Sequence, residues 1–223
     1  MFFLPDFCSV LFGGGAERDS AKIRHRAASA RRNIYHAGEP AEGAIVICEG
    51  WAVRFVQLPN GKRQILSVVL PGDLVTSTSI LERKFIFSVQ AVTDVRYCHI
   101  PAGEIRKRLQ TNSALLDLWL EAAAAEYRRA DKQIVDLGQR SAQERIAALL
   151  FQMLTRSQER GELSANAFAF PLRQQQIADC TGLTPVHVCR VLGRLRKDGL
   201  CDVGRGLVRI FDGAELERMA LLK

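Results

Sequence analysis

Apolar positions change their spacing several times along the chain, and each change predicts a different kind of element. From Ile34 to Pro101 the apolar residues come in short β-branched and aromatic runs. These are Ile45–Cys48, Ala52–Leu58, Gln64–Leu70, Phe85–Val92 and Val95–Ile100. Gly38, Gly50 and Pro71-Gly72-Asp73 punctuate them, and Pro59-Asn60-Gly61 is a hairpin signal. Many short strands at this spacing predict a compact antiparallel barrel or roll that closes its own edges.

After Pro101 the period lengthens, and residues 102–138 predict a helix. Within it Leu116, Leu120, Ala123, Tyr127, Ala130, Ile134 and Leu137 recur in alternating steps of four and three. That is a heptad seam, with Glu121, Arg128, Arg129, Asp131 and Lys132 lying off it. The 3.5-residue period favours a parallel partner helix, and so a dimer, over a helix packed only on its own domain. Ala123 and Ala130 allow close approach. Asp136-Leu-Gly-Gln-Arg140 interrupts the pattern, with Gly138 as the expected hinge. Ser141-Ala-Gln-Glu144 is a capping box that opens a new helix carrying Ile146, Leu149, Leu150, Met153 and Leu154 on one face.

Residues 157–167 predict a polar loop, and Phe168–Leu172 a short strand. Residues 172–198 then predict two short helices around a tight turn at Gly182. Thr184 is the expected N-cap of the second helix and Pro185 its first residue. Val188, Val191, Leu192 and Leu195 share one face. Val186, Arg190, Gly193, Arg194 and Lys197 share the other, flanked by His187 and Cys189. An apolar back, an arginine-rich front and a glycine turn are what a helix-turn-helix presents to the DNA major groove. The competing reading is an ordinary helical hairpin with a solvated basic face. Leu200–Val203 and Leu207–Phe211, joined by Gly204-Arg-Gly206, predict a hairpin beside the second helix. A short helix, Ala214–Leu222, follows.

At the other end, residues 1–20 form an arm containing Gly13-Gly14-Gly15, and the Ala- and Arg-rich residues 21–33 predict a short basic helix. Four regions result. Residues 1–33 are the arm and short helix, 34–101 the roll, 102–138 the dimerisation helix and 139–223 the helix-turn-helix domain with its wing. The fold class is α+β: an N-terminal antiparallel, jelly-roll-like β-roll, a long dimerisation helix and a C-terminal winged helix-turn-helix.

Composition sharpens the choice of partner. The 223 residues carry a net charge of +7, which favours an anionic partner. The six cysteines, at 8, 48, 98, 180, 189 and 201, include no Cys-x-x-Cys pair. Neither a zinc knuckle nor a thioredoxin-type site is signalled. Reduced thiols in a cytoplasmic protein are expected. Met1-Phe-Phe-Leu-Pro-Asp6 lacks the basic leader and the length of a signal peptide. No apolar run reaches the roughly 20 residues that span a bilayer.

Roll, dimer helix, hinge and winged helix-turn-helix, in this order, resemble the Crp/Fnr family of bacterial transcription regulators. The most specific segments are Ala142-Gln-Glu-Arg-Ile-Ala-Ala148, Gln176-Ile-Ala-Asp-Cys-Thr-Gly-Leu-Thr184 followed by Val188-x-Arg190, and the Leu70-Pro-Gly-Asp73 turn. The resemblance implies a homodimer with one recognition helix per subunit in successive major grooves of a two-fold symmetric duplex site. It implies RNA polymerase as a further partner and no membrane. Arg190 matches the arginine that reads guanine, and bidentate Arg–guanine contact is the commonest specific pairing. Pro185, Val186 and His187 occupy the other reading positions. Valine replaces the glutamate that many members carry at 186, so a different operator is expected. Gln174, Gln175, Thr184, Arg194 and the wing residue Arg205 are candidate phosphate contacts, which position without specifying.

The sensory half departs from the family's liganded members. Cyclic-AMP-binding members carry a Gly-Glu-containing cassette ending in Arg-Ser after the Pro-Gly-Asp turn. Here Asp73–Ile80 and Phe85–Ser88 lack both the acidic ribose contact and the arginine clamp, since Arg83 is out of place. Cys98 matches the roll cysteine of iron–sulfur members, but Cys8 alone cannot supply the remaining thiolates. His36 and His99 offer weak grounds for haem. No cofactor is therefore expected. Cys189, beside His187 and Arg190, is a candidate redox site, because sulfinate there opposes phosphate. The bland reading of Cys189 is a small residue that lets the helix approach DNA closely. The alternative function is a cyclic-nucleotide-binding-like sensing module acting through protein partners. An enzyme on a cupin-like roll needs histidines converging on a metal. With only His36 and His99 and no His-x-His spacing, no catalysis is expected.

Overall fold

The computed structural model describes residues 23–221. The arm at residues 1–20 and Cys8 lie outside the described residues. Residue contacts divide the chain into two compact units, Met1–Ala130 and Asp131–Lys223.

In the first unit the strands are β1 (Arg24–Ala28), β2 (Asn33–Tyr35), β3 (Gly43–Glu49), β4 (Ala52–Gln57), β5 (Arg63–Val69), β6 (Ser88–Ala91) and β7 (Val95–Pro101). They form two antiparallel sheets, ordered β1-β7-β3 and β2-β6-β4-β5. Two helices follow, α1 (Ala102–Thr111) and α2 (Ser113–Gln139). Side chains alternate across a strand. Ile45, Ile47, Val95 and Tyr97 therefore join Ala52, Val69 and Val89 of the other sheet in one core. Ala44, Val46, Cys98 and Ile100 point the other way, into a second core closed by Ile105, Leu115, Leu118 and Trp119. Burial on both faces explains why β3 reads as a continuous apolar run. The turns behave as their residues predict. Leu58 N–H donates to Lys62 O across the hairpin at 2.8 Å, and the Asp73 carboxylate accepts from Leu70 N–H at 2.7 Å.

Three local expectations are corrected. Residues 24–28 are a strand, not part of a basic helix. Backbone pairing of Arg24–Ala28 with Val95–His99 overrides the helical preference of an Arg- and Ala-rich segment. The helix expected over 102–138 is two helices broken at Asn112, whose side chain accepts from Leu115 N–H at 3.0 Å and so caps α2. Gly138 does not interrupt the second helix, which runs through Gln139. Asp136 sits between Lys132, at 2.9 Å, and Arg140, at 2.7 Å, one turn to either side. These ion pairs brace the last turn, and one helical glycine costs only about 1 kcal/mol. The break falls at Arg140.

The second unit contains α3 (Ala142–Glu159), β8 (Ala167–Ala169), α4 (Gln174–Thr181), α5 (Pro185–Lys197), β9 (Cys201–Gly204), β10 (Leu207–Ile210) and α6 (Gly213–Ala220). The predicted capping box is present, with Ser141 and Glu144 bonded reciprocally. α3 packs on α4, α5 and α6. Arg140 is buried and donates to the carbonyls of Met219 and Ala220 at 2.7 and 2.9 Å, which satisfies the C-terminal end of α6. The strands form a sheet ordered β8-β10-β9. Leu222, expected at the end of the last helix, lies outside the described residues.

Candidate nucleic-acid interface

α4 and α5 meet at Gly182, which adopts the left-handed conformation at φ 66° and caps α4. A Cβ there would stand 3.1 Å from Leu137 Cδ2 and 3.5 Å from Arg145 Nη1, so the backbone conformation favours glycine and a larger residue would also press on the Leu137 side chain. Thr184 caps α5, its hydroxyl oxygen accepting from His187 N–H at 3.2 Å, and Pro185 is the first helical residue. The buried back of α5 is Val188, Val191 and Leu195, with Leu192 half-buried. Its front exposes Val186, His187, Cys189, Arg190, Gly193, Arg194 and Lys197. Pro185 is half-buried. Val186 is 62% exposed on this front.

The wing stands beside this front. β9 packs on α5, and Arg196 Nε lies 3.4 Å from Asp202 Oδ1 on β9. Arg205 and Gly206 turn the hairpin with φ of 53° and 77°. Two successive positive φ values are the signature of a type I′ turn, which costs a non-glycine residue about 1 kcal/mol. The exposed Arg205 guanidinium is carried at that tip. Gln174 is the exposed first residue of α4, where free backbone N–H groups favour an anion. Gln175 is partly committed: its amide nitrogen donates to the buried Asp179 at 2.7 Å, leaving one N–H for a phosphate.

The heptad positions of α2 divide along the helix. Leu120, Tyr127 and Ile134 are 56%, 71% and 69% exposed, and Leu116 and Ala130 are exposed with them. Ala123 is half-buried. Leu137, also half-buried, packs against the turn at Gly182. A second stripe, Leu115, Leu118, Trp119 and Ala122, is buried against the roll. The helix thus has one apolar face used within the unit and one facing outward.

Sequence reasoning missed the polar centre of the roll. Glu126 extends the buried stripe of α2 and carries its carboxylate to Arg54 on β4. The same carboxylate accepts from Ser77 N–H at 3.1 Å, Ser77 Oγ at 3.0 Å and Thr76 Oγ1 at 3.4 Å. Arg54 also donates to Val75 O at 2.9 Å and stacks 4.3 Å from the Phe87 ring centroid. Tyr35 and Phe85 stack beside it with centroids 3.7 Å apart. Burial alone raises the Glu126 carboxyl, but Arg54 and the Ser77 donors outweigh it and hold the group below its ordinary value. The detectable signal is a glutamate at the phase of Leu115, Leu118, Trp119 and Ala122. Arg83 is exposed on the loop before β6. His36 is exposed beside Asn33. His99 is half-buried on β7, its imidazole driven toward the neutral form by burial and by Arg26 and Arg24, with Glu42 opposing them. Among the described residues no group of three or more His, Cys, Asp or Glu side chains is placed to hold a metal ion, and no helix is long and apolar enough to cross a membrane.

Comparison with known proteins agrees with both units. The family description "Cyclic nucleotide-binding domain" matches residues 25–112, and "Crp-like helix-turn-helix domain" matches residues 144–219. The nitrogen fixation regulation protein FixK of Bradyrhizobium diazoefficiens is 30% identical over 209 residues, covering 91% of this chain and 87% of FixK. The transcriptional activatory protein AadR of Rhodopseudomonas palustris is 27% identical over 213 residues, covering 96% and 88%. The solved structure of FixK2 from Bradyrhizobium japonicum superimposes with a TM-score of 0.79 at 24% identity, over 90% of this chain and 98% of that one. A CooA mutant from Carboxydothermus hydrogenoformans also gives 0.79, at 16% identity, over 97% and 96%. A nucleotide-binding-type roll, a long helix and a winged helix-turn-helix in one chain, with a relative of this similarity over this length, place the protein in the Crp/Fnr family of DNA-binding bacterial transcription regulators.

Proposed function

We propose that the protein is a homodimer that reads a two-fold symmetric DNA site with α5 and acts without cyclic AMP or an iron–sulfur cluster. The observation that carries this reading is the exposed front of α5, with Arg190 and Arg194 held on a helix whose other face is buried. Arg190 reads guanine through a bidentate contact. Val186 offers only apolar contact, which suits a thymine methyl. His187 donates to a base or a phosphate. Gln174, Gln175, Thr184, Arg194 and Arg205 hold the backbone. The exposed seam from Leu116 to Ile134 supports pairing of α2 with a second copy, which supplies the second α5.

Independence from cyclic AMP is supported by Glu126. It already engages donors of the roll interior, Arg54, Ser77 and Thr76, and the segment after Pro71-Gly72-Asp73 lacks the acidic ribose contact and the arginine clamp of the liganded members. AadR is named a transcriptional activatory protein, which supports activation of transcription as the role of this chain; contact with RNA polymerase in the cytoplasm, by binding rather than catalysis, is part of the same proposal. Cys189, exposed on the reading face, makes oxidation to sulfinate incompatible with phosphate contact.

Sedimentation with a symmetric duplex tests the assembly. Two chains per duplex are expected, with affinity falling steeply with salt. One chain per duplex, or no salt dependence, contradicts the reading. The latter outcome favours a module that acts through protein contacts.

A further inference from the structure

DNA reading makes no use of a pair of thiols in the roll. Cys48 occupies the bulge where the pairing of β3 with β7 shifts register between Ile47 and Glu49. Its sulfur lies 3.1 Å from the sulfur of Cys98. Cys98 Sγ in turn lies 3.3 Å from Nδ1 of His25, its register partner on β1. The three side chains therefore form a row across the β1-β7-β3 sheet, on strands distant in sequence. Accessibility differs among the three: Cys98, in the middle, is buried, Cys48 half-buried and His25 exposed. The hydrogen bond with Cys48, together with burial, pushes the Cys98 thiol well above its ordinary value. Cys98 therefore stays protonated until a base accepts its proton, and Cys48 meets a solvent oxidant first.

We propose that Cys48 and Cys98 are a redox modification site, which a hydroperoxide oxidises to an intramolecular disulfide. The Cys48 sulfur attacks the peroxide, the O–O bond breaks, and Cys48 becomes a sulfenic acid. The departing hydroxide leaves as water with the proton that Cys48 gave up. Cys98 then passes its proton to His25 Nδ1 and attacks the Cys48 sulfur. The S–S bond forms, the S–O bond breaks, and the second hydroxide takes the proton from His25. Two thiols lose two electrons and two protons, and hydrogen peroxide becomes two waters. The sulfurs must close from 3.1 Å to about 2.0 Å. A bulged residue outside the regular ladder can absorb a shift of that size. Cys98 belongs to the core cluster that contains Leu115, Leu118 and Trp119, and Cys48 packs against it, so the cross-link forms at the edge of that core. The site is separate from Cys189 on the reading helix and stands independently of the DNA reading.

The test uses the full chain, treated with hydrogen peroxide, denatured, alkylated and mapped by peptide mass. The expected product is a linked peptide pair containing Cys48 and Cys98, lighter by two hydrogens than the separate peptides. Cys189→Ser should form it equally. Cys98→Ser should instead accumulate a dimedone-reactive sulfenic acid at Cys48, and His25→Ala should slow closure several-fold. Recovery of Cys48 and Cys98 fully alkylated after peroxide, or linkage of either to a different cysteine, would overturn the proposal. The mapping of the unsubstituted protein decides this even where a variant fails to fold.

Discussion

Arg190, Gly182 and Glu126 carry separable parts of the account. Arg190→Ala should lower affinity for the preferred site by ~1–3 kcal/mol and relax the base preference at one position of each half-site. Fluorescence anisotropy against a panel of single-base variants measures both effects, and uniform weakening across the panel would reassign Arg190 to phosphate. Gly182→Ala should cost the second unit about 1–3 kcal/mol, because it combines a left-handed backbone with a Cβ 3.1 Å from Leu137. Thermal unfolding monitored by circular dichroism reads this directly. Glu126→Ala strips Arg54 of its carboxylate inside the roll and should cost about 3 kcal/mol. The Glu126 carboxyl is held below its ordinary value when folded, so the unfolded chain binds more protons as pH falls. The stabilisation is complete above the ordinary carboxylate value and disappears as pH falls through the lowered folded one. Denaturant unfolding at neutral and acid pH should therefore show the Glu126→Ala penalty shrinking in acid. A penalty independent of pH would contradict the ion-pair assignment.

At the scale of elements, α2 is the piece with two jobs. Its stripe of Leu115, Leu118, Trp119 and Ala122 closes the roll, and its outward seam is exposed. The double substitution Tyr127→Glu with Ile134→Glu should convert the protein to a monomer by sedimentation while leaving the roll folded. Losing the tether between the two reading helices should weaken operator binding by about 10²–10⁴-fold. Unchanged sedimentation would place the dimer contact elsewhere. The seam was legible because its period is strict, whereas the buried stripe beside it was not separated from the background of an alanine-rich helix. The break at Asn112 escaped notice because its evidence is one side-chain cap within a helical composition. β1 is hidden in the sequence for a related reason. Arg-His-Arg-Ala-Ala has no apolar alternation, and its strand conformation comes from pairing with β7. The recognition helix was the most legible element, since cap, first-turn proline, glycine turn and amphipathic spacing all point the same way.

At the scale of the whole molecule, membership of the Crp/Fnr family joins a roll, a long helix and a reading domain in one chain. Interactions between residues far apart in sequence stayed hidden from sequence reasoning: the Glu126–Arg54 pair, the Cys48–Cys98 row and the Arg140 clamp on α6. Each depends on topology that no local pattern encodes. The central claim is sequence-specific reading of symmetric DNA by paired copies of α5. Selection of bound sequences from a random duplex pool tests it most directly, with the Arg190→Ala variant run in parallel. The expected result is a two-fold symmetric motif with half-sites about one helical turn apart, containing a guanine whose enrichment disappears in the variant. Enrichment of an asymmetric motif, or of none, would contradict it.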